Sequence, residues 1–250
     1  MSDTDDPYRA PQSNVSDTSS EQRGGSIENT LGGYAELDIG EVFSEAWEKI
    51  SGIKGYVIGG GILLYAGVFI VSVIIGVLFG FEQQTIVGGL VGNLVIMMMI
   101  YPFMAGVFLL GLRQSLGAPV SFNQQFSQYG MVLPILGIVI IQSIATSIGF
   151  ILLILPGIYV AIAFGLAIPL KVEKQLGVVE SLTTSMQLVN KKFLNVAVLA
   201  IVSSLVATLS FITIIGWIWG IPWMLMVFAI TYRQLAGVNV ATLEAGEPDY

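Results

Sequence analysis

The side chains of this sequence best placed to do chemistry are uncharged. Asn93, Gln142, Ser143, Thr146, Ser147, Ser203, Ser204, Thr208 and Ser210 all sit inside long apolar stretches. A carboxamide or hydroxyl in hydrocarbon must find a hydrogen-bond partner. Asn93, Gln142, Ser143, Thr146, Ser203 and Ser204 therefore form a candidate polar intramembrane site, serving either a polar pathway or a lipid headgroup. The alternative use is structural: hydrogen bonds between membrane helices, worth about 0.6 kcal/mol each on average.

Charged chemistry is poorly supplied. The chain has no cysteine and no histidine. Disulfides and thiolate reactions are thereby excluded, and the commonest metal ligand and general base is missing. The carboxylates Glu41, Glu45, Glu48, Glu173 and Glu180 lie in the segments that flank the apolar stretches, where they are expected to be solvated. Glu173 and Glu180 meet only if the chain turns between them at Gly177. Neither a phosphate-binding loop nor a dinucleotide fingerprint is present. No catalytic residue, metal site or cofactor is assigned, and the chain reads as non-enzymatic. The membrane core carries no ionisable group, which weighs against ion-coupled carriers, pumps and voltage sensors. A pore or carrier for neutral or apolar solutes stays open.

The elements that must position these residues are membrane helices. Of 250 residues, 54% are hydrophobic and only 11% charged, against about 25% charged in a soluble domain. Six apolar segments run roughly 55–81, 85–112, 131–155, 157–170, 193–215 and 216–234. About 20 apolar residues are needed to cross a bilayer. The fourth segment is short and spans only if it extends into Lys171–Lys174, tilts, or the bilayer thins. All ten Lys and Arg residues fall on one side of these segments: Arg9, Arg23, Lys49, Lys54, Arg113, Lys171, Lys174, Lys191, Lys192 and Arg233. Basic loops stay cytoplasmic, so both termini are placed inside. Glu82 is the one charged residue in a connection on the other side.

Each pair of segments is preceded by an amphipathic stretch. Asp38 to Ile50 places Ile39, Val42, Phe43, Ala46, Trp47 and Ile50 on one helical face, and Asp38 with Glu41 makes a capping box. A second stretch begins near Ser121, with Phe122, Phe126 and Tyr129 on one face and Gly130 as its stop. A third begins near Gly177, with Val178, Val179, Leu182, Met186 and Val189 aligned. Such helices lie in the headgroup plane or pack on the bundle as connectors. Phe43, Trp47, Phe122, Phe126 and Met186 are the expected interfacial contacts.

The predicted fold is thus an all-α integral membrane protein: six transmembrane helices as three hairpins, each preceded by an amphipathic interfacial helix. Residues 1–37 read as a disordered acidic tail, 38–236 as the membrane domain, and 237–250 as a C-terminal tail. Met1 to Ala35 contains no apolar run of the kind a cleavable signal needs. The net charge of −7 comes mostly from the two tails, and nucleic acid is not an expected partner. Pro156-Gly157 reads as the turn between the third and fourth segments, and Trp217, Trp219 and Trp223 as an outer aromatic belt. Small residues at four-residue spacing, Gly55/Gly59, Gly76/Gly80, Gly88/Gly92, Ala145/Gly149 and Gly216/Gly220, allow close helix approach within one chain or between copies.

One run carries a family resemblance. Leu155-Pro156-Gly157-Ile158-Tyr159, followed by Pro169-Leu170, Glu173, Gly177, Glu180-Ser181-Leu182 and Ser185, resembles a group of bacterial multi-pass proteins that includes the membrane domain ahead of glycerophosphodiester phosphodiesterase domains. Asp6-Pro7-Tyr8-Arg9-Ala10-Pro11 is similar to a start motif of small bacterial membrane proteins. The resemblance implies a six-helix fold in the bacterial cytoplasmic (inner) membrane, with Glu180 and Ser185 on a cytoplasmic surface helix. Hydrolase activity does not carry over, because the histidines such a domain uses are absent. The expected partners are membrane lipids, further copies of the chain and a cytoplasmic protein recruited by the acidic tail. The leading functional expectation is a membrane-organising or lipid-interacting protein, the rival a transporter or channel.

Overall fold

The computed structural model describes residues 22–79, 86–210 and 212–239. Every long element among them is helical. Helices α1 (Ile27–Leu31), α2 (Ile39–Lys49), α3 (Lys54–Phe79) and α4 (Ile86–Ser115) are followed by a 3-10 helix, Phe122–Met131. Then come α5 (Val132–Leu152), α6 (Ile154–Ala163), α7 (Ala167–Lys174), α8 (Val178–Lys191), α9 (Phe193–Ser210) and α10 (Ile214–Ala236). The two short strands β1 (Gln22–Arg23) and β2 (Val238–Asn239) pair antiparallel, Gln22 with Asn239 and Arg23 with Val238.

Five helical stretches are long and apolar enough to cross a membrane: Lys54–Phe79, Gly88–Ser115, Phe122–Leu152, Ile154–Lys174 and Phe193–Ser210. This is an all-α membrane-type architecture. The sixth predicted segment forms the 23-residue α10 but is not among the five. The C-terminal half of α10 lies in the core: Met226, Ala229, Ile230, Tyr232, Leu235 and Ala236 are fully buried. At 26 residues α3 is about 39 Å long at 1.5 Å per residue. Only 11% of its apolar window is buried inside the molecule, against 44% for α4, so α3 is the outermost wall.

The amphipathic stretches form, with corrections. Helix α2 is capped by Asp38, the Glu41 N–H donating to Asp38 Oδ1 at 2.8 Å, which is one half of the expected capping box. Val42 and Ala46 are fully buried against the bundle, and the Phe43 ring packs on Trp223 at 5.2 Å, while Trp47 stays 60% exposed. Helix α2 thus packs on the bundle as a connector and presents one aromatic side chain outward. The stretch after Ser121 is a 3-10 helix that runs directly into α5, so Gly130 is not a stop. Its buried residues are Gln125 and Gln128, whereas Phe122 and Phe126 are half-buried. The cause is steric. A Cβ on Gly60 would lie 2.0 Å from Gln125 Oε1, and one on Gly106 would lie 2.2 Å from the Gln125 carbonyl oxygen. Two bare glycine positions admit the glutamine edge, while the Phe126 ring packs on Phe103 at 5.6 Å and Phe122 lies against Gly59 of α3. Helix α8 starts as read, the Gly177 N–H donating to Glu180 Oε2 at 3.1 Å, and Met186 is half-buried on it.

Three further expectations move. Residues 22–37 are not part of a disordered tail: Thr30, Ala35 and Leu37 are buried, and Thr30 Oγ1 donates to the Leu235 carbonyl at 2.6 Å. Val238 is likewise fully buried, so the C-terminal tail begins later than 237. Residues 1–21 and 240–250, with Glu82 and Gly80, lie outside the described residues. The α5–α6 turn is made by the single extended residue Leu153, and Pro156 sits in the first turn of α6, where its missing N–H has no helical partner to lose. Gly157 serves packing, since a Cβ on Gly149 would lie 2.9 Å from its Cα.

The fourth apolar segment is broken rather than continuous. Between α6 and α7 the Leu166 N–H donates to Ser185 Oγ at 3.0 Å, and that hydroxyl donates to the Ala163 carbonyl at 2.7 Å. One serine of α8 therefore satisfies backbone groups on both sides of the break. Buried backbone groups without partners are costly in an apolar setting, which explains a polar residue at 0% exposure there.

Candidate functional site

A partly open cavity of about 950 Å³ lies between α3, α4, α6, α9 and α10. Small-molecule sites run to about 300–1,000 Å³, so this one lies at the upper end. Its wall is apolar, with Val57, Phe103, Leu166, Leu199, Ile221 and Phe228 among the lining residues and no Asp, Glu, Lys or Arg. Space arises where side chains are small: Gly61, Gly165 and Ala200 line it, and a Cβ on Gly61 would meet nothing within 4 Å.

Three hydroxyl residues of α9 and α10 line it: Ser203, Ser204 and Thr231. Ser204 donates to the Ala200 carbonyl at 2.7 Å and Thr231 to the Val227 carbonyl at 2.7 Å. Both spend their protons on the helix backbone four residues earlier, the usual retreat of a hydroxyl inside a helix. Ser203 does not. It is 8% exposed, and its buried Oγ has no hydrogen-bond partner among the described residues. An unpaired buried hydroxyl costs about 1–3 kcal/mol.

The other sequence-predicted polar residues are elsewhere. Asn93 is exposed on α4, Ser143 is exposed on α5, and Gln142 and Thr146 are half-buried on α5. None of the four lines the cavity. Of the six candidates only Ser203 and Ser204 share a site. Of the tryptophans, Trp223 donates to the Phe43 carbonyl at 3.4 Å, and Lys54 Nζ lies 4.6 Å from the ring centre of Trp219; Trp217 and Trp219 are exposed.

Sequence reasoning missed a polar hub where the basic ends of the helices converge. Arg233 of α10 grips Glu45 of α2 through two bonds, 2.9 and 2.6 Å, and donates to the Ser115 carbonyl of α4 at 2.6 Å. Lys49 pairs with Glu45 at 3.3 Å and also donates to the Ser115 carbonyl. Beside them Glu173 of α7 is 3% exposed. It accepts from Tyr232 at 2.7 Å and from the Asn239 N–H at 2.7 Å, and it pairs with Lys174 at 3.3 Å. Of the five carboxylates expected to be solvated, Glu45 and Glu173 are structural, whereas Glu41, Glu48 and Glu180 are exposed. The available signal was spacing: Glu45 and Lys49 form an i,i+4 pair, but their long-range partners are invisible to pattern. No group of three or more acidic residues able to hold a metal occurs among the described residues.

Burial pushes the Glu45 carboxyl up, but the hydrogen bonds and charges of Arg233 and Lys49 outweigh it and hold the group below its ordinary 4.5. A depressed folded-state value adds stability above the unfolded value that is lost as pH falls through the folded one. Docking of α2 is therefore expected to hold at pH 6 and weaken below pH 4.5. Trp223 emission, read between pH 6 and 3, should shift as its contact with Phe43 opens. Glu45→Gln should abolish that acid transition, and a transition of equal size in the variant would contradict the assignment.

The chain matches no family model, no curated protein and no solved structure. The likeness carried by Leu155–Tyr159 and the run after it thus remains a similarity of sequence pattern.

Proposed function

We propose that this is a non-enzymatic, lipid-interacting protein of a bacterial cytoplasmic membrane, with six helices in the membrane and both termini inside. It holds lipid chains within its bundle and organises the bilayer around itself, acting as a self-associated assembly. The observation that carries this reading is the cavity: about 950 Å³ of apolar space between membrane-type helices, partly open to the surroundings and lined by no Asp, Glu, Lys or Arg. An apolar surface of this kind gains dispersion contacts when a chain of matching polarity fills it. Hydrocarbon is the filling available in a membrane. Two further features support the reading. Trp47 projects from α2 beside Glu48, as on a helix at a headgroup boundary. The basic residues cluster on one side of the apolar segments, which is the basis for placing the termini.

The test is the intact mass of the purified protein, released from mild detergent with its bound lipids. A defined oligomer carrying lipid in fixed ratio is the expected spectrum. A monomer would remove the self-association, and protein free of lipid would overturn the reading itself.

A further inference from the structure

We infer that the α5–α6 hairpin enters only one leaflet of the bilayer and does not cross it. Its tip, residues 151–155, lies in hydrocarbon, and Lys191 and Lys192 lie at the lipid phosphates. On the membrane reading of this chain, six helices still enter the bilayer, four of them cross it, and the termini keep one side. Length alone would let both arms of the hairpin cross; their register with α8 does not.

Three hydrogen bonds set α8 antiparallel beside α6. Ser185 Oγ donates to the Ala163 carbonyl at 2.7 Å and accepts from the Leu166 N–H at 3.0 Å. Further along α8, Asn190 Oδ1 accepts from the Tyr159 hydroxyl at 2.9 Å, and the Tyr159 ring packs on Phe193 at 5.4 Å. Lys191 and Lys192 are therefore held at the level of Tyr159. The outer face of α8 is polar down to that level: Glu180, Thr183, Gln187, Asn190 and Lys191 are exposed. Charged and amide groups facing lipid are costly, so this face belongs in water and headgroups. From Tyr159 to the turn at Leu153 is about 9 Å at 1.5 Å per residue. The hydrocarbon core is about 30 Å thick, and a hairpin crossing it would draw the polar face of α8 inside. Exposed Ile140, Ile141 and Ile144 extend the apolar surface along α5, so the hairpin enters obliquely, with its α5 arm toward the lipid.

The turn itself is an independent observation. Residues 150–155 read Phe-Ile-Leu-Leu-Ile-Leu, and residues 151–155 are 68–83% exposed. A turn emerging on the far side would present this run to water. The connection after α3, by contrast, contains Glu82, Gln83 and Gln84. In hydrocarbon a turn must keep its backbone groups bonded. Leu153, the one residue between the two helices, does so. Its N–H donates to the Gly149 carbonyl at 3.0 Å, and its carbonyl accepts from the Gly157 N–H at 3.4 Å. Pro156 brings no N–H at all. Tyr159, Lys191 and Lys192 supply the boundary, an aromatic ring and two cations at the level of anionic headgroups.

The chain has no cysteine, so single nitroxide labels can be introduced one at a time. Leu153→Cys and Ile151→Cys mark the tip, Gln187→Cys the outer face of α8, and Phe69→Cys the exposed middle of α3. Each labelled full-length protein is placed in vesicles of phosphatidylethanolamine and phosphatidylglycerol. Depth below the phosphates is read from spin relaxation by oxygen and by a water-soluble nickel complex. Both tip labels are expected to lie deeper than the Gln187 label, by on the order of 10 Å, with Phe69 in lipid as well. Two tip sites guard against one variant misfolding. A Gln187 label as deep as the tip, or deeper, would mean that the hairpin crosses, and would overturn the inference. Tip labels in water with Phe69 in lipid would also overturn it while sparing the membrane reading. Phe69 in water would remove the membrane reading with it.

Discussion

Glu173→Ala is expected to destabilise the protein more than any other single change at a polar residue. The carboxylate is buried, with its side chain inaccessible, and it joins three elements: α7 itself, Tyr232 of α10 and the Asn239 backbone of β2. Lys174, 7% exposed at its side chain, loses its ion pair at the same time, although it keeps the Asn239 side-chain oxygen at 3.1 Å. Removing one member of a buried charge pair costs about 3–5 kcal/mol, because the partner stays buried and uncompensated. That is a large part of the stability of an ordinary domain, about 5–15 kcal/mol. Thermal melting in detergent reads it. Tyr232→Phe, which removes one bond, should lose about 1–3 kcal/mol. A Glu173→Ala protein that melts with the wild type would mean the hub does not hold the termini.

Gly106→Val carries the second large effect. A Cβ there would sit 2.2 Å from the Gln125 carbonyl oxygen, 2.6 Å from its carbon and 2.9 Å from the Gln124 oxygen. These are backbone atoms of the 3-10 helix and cannot swing aside as a side-chain tip does. Overpacking of a tight contact costs about 1–3 kcal/mol and sometimes more. The 3-10 helix would have to leave α4, and the α3–α4 corner would open. Gly61→Ala is the control on the same pair of helices, since nothing lies within 4 Å of its added carbon, and it should melt with the wild type. Limited proteolysis near Ser121 reports the opening directly. Equal protection of Gly106→Val and wild type would show that the contact is not needed.

These two residues mark what the sequence conceals. Gly106 belongs to none of the small-residue pairs picked by spacing, and it makes one of the tightest approaches in the fold. Gly55, which was picked, meets nothing within 4 Å. Spacing locates a face on a helix but not the neighbour that will occupy it. Local capping was readable, because Asp38 and Glu180 bond to amides three residues away. Helix α2 was readable from its period, down to the burial of Val42 and Ala46. The glutamine edge of the 3-10 helix was not, because the apolar stripe of Phe122, Phe126 and Tyr129 suggested the opposite face. Glu45 and Glu173 were misplaced for a related reason. Acidic residues between apolar segments are normally solvated, and only tertiary contacts with Arg233 and Tyr232 bury them.

The candidate site was half legible. Ser203 and Ser204 could be named from their position in an apolar segment, but so could Asn93, Gln142, Ser143 and Thr146, which lie outside the cavity. What distinguishes Ser203 is a missing bond to its own backbone, and that is a property of a rotamer, not of a residue type. The cavity itself arises from Gly61 of α3, Gly165 in the break between α6 and α7, and Ala200 of α9, a coincidence no single segment records.

The measurement that bears most directly on the central claim is an experimental density map of the protein in a lipid environment, at a resolution that resolves side chains. Elongated density filling the space between α3, α9 and α10 is the predicted result. A closed bundle, with α3 collapsed onto α9 and α10 and no density between them, would contradict it.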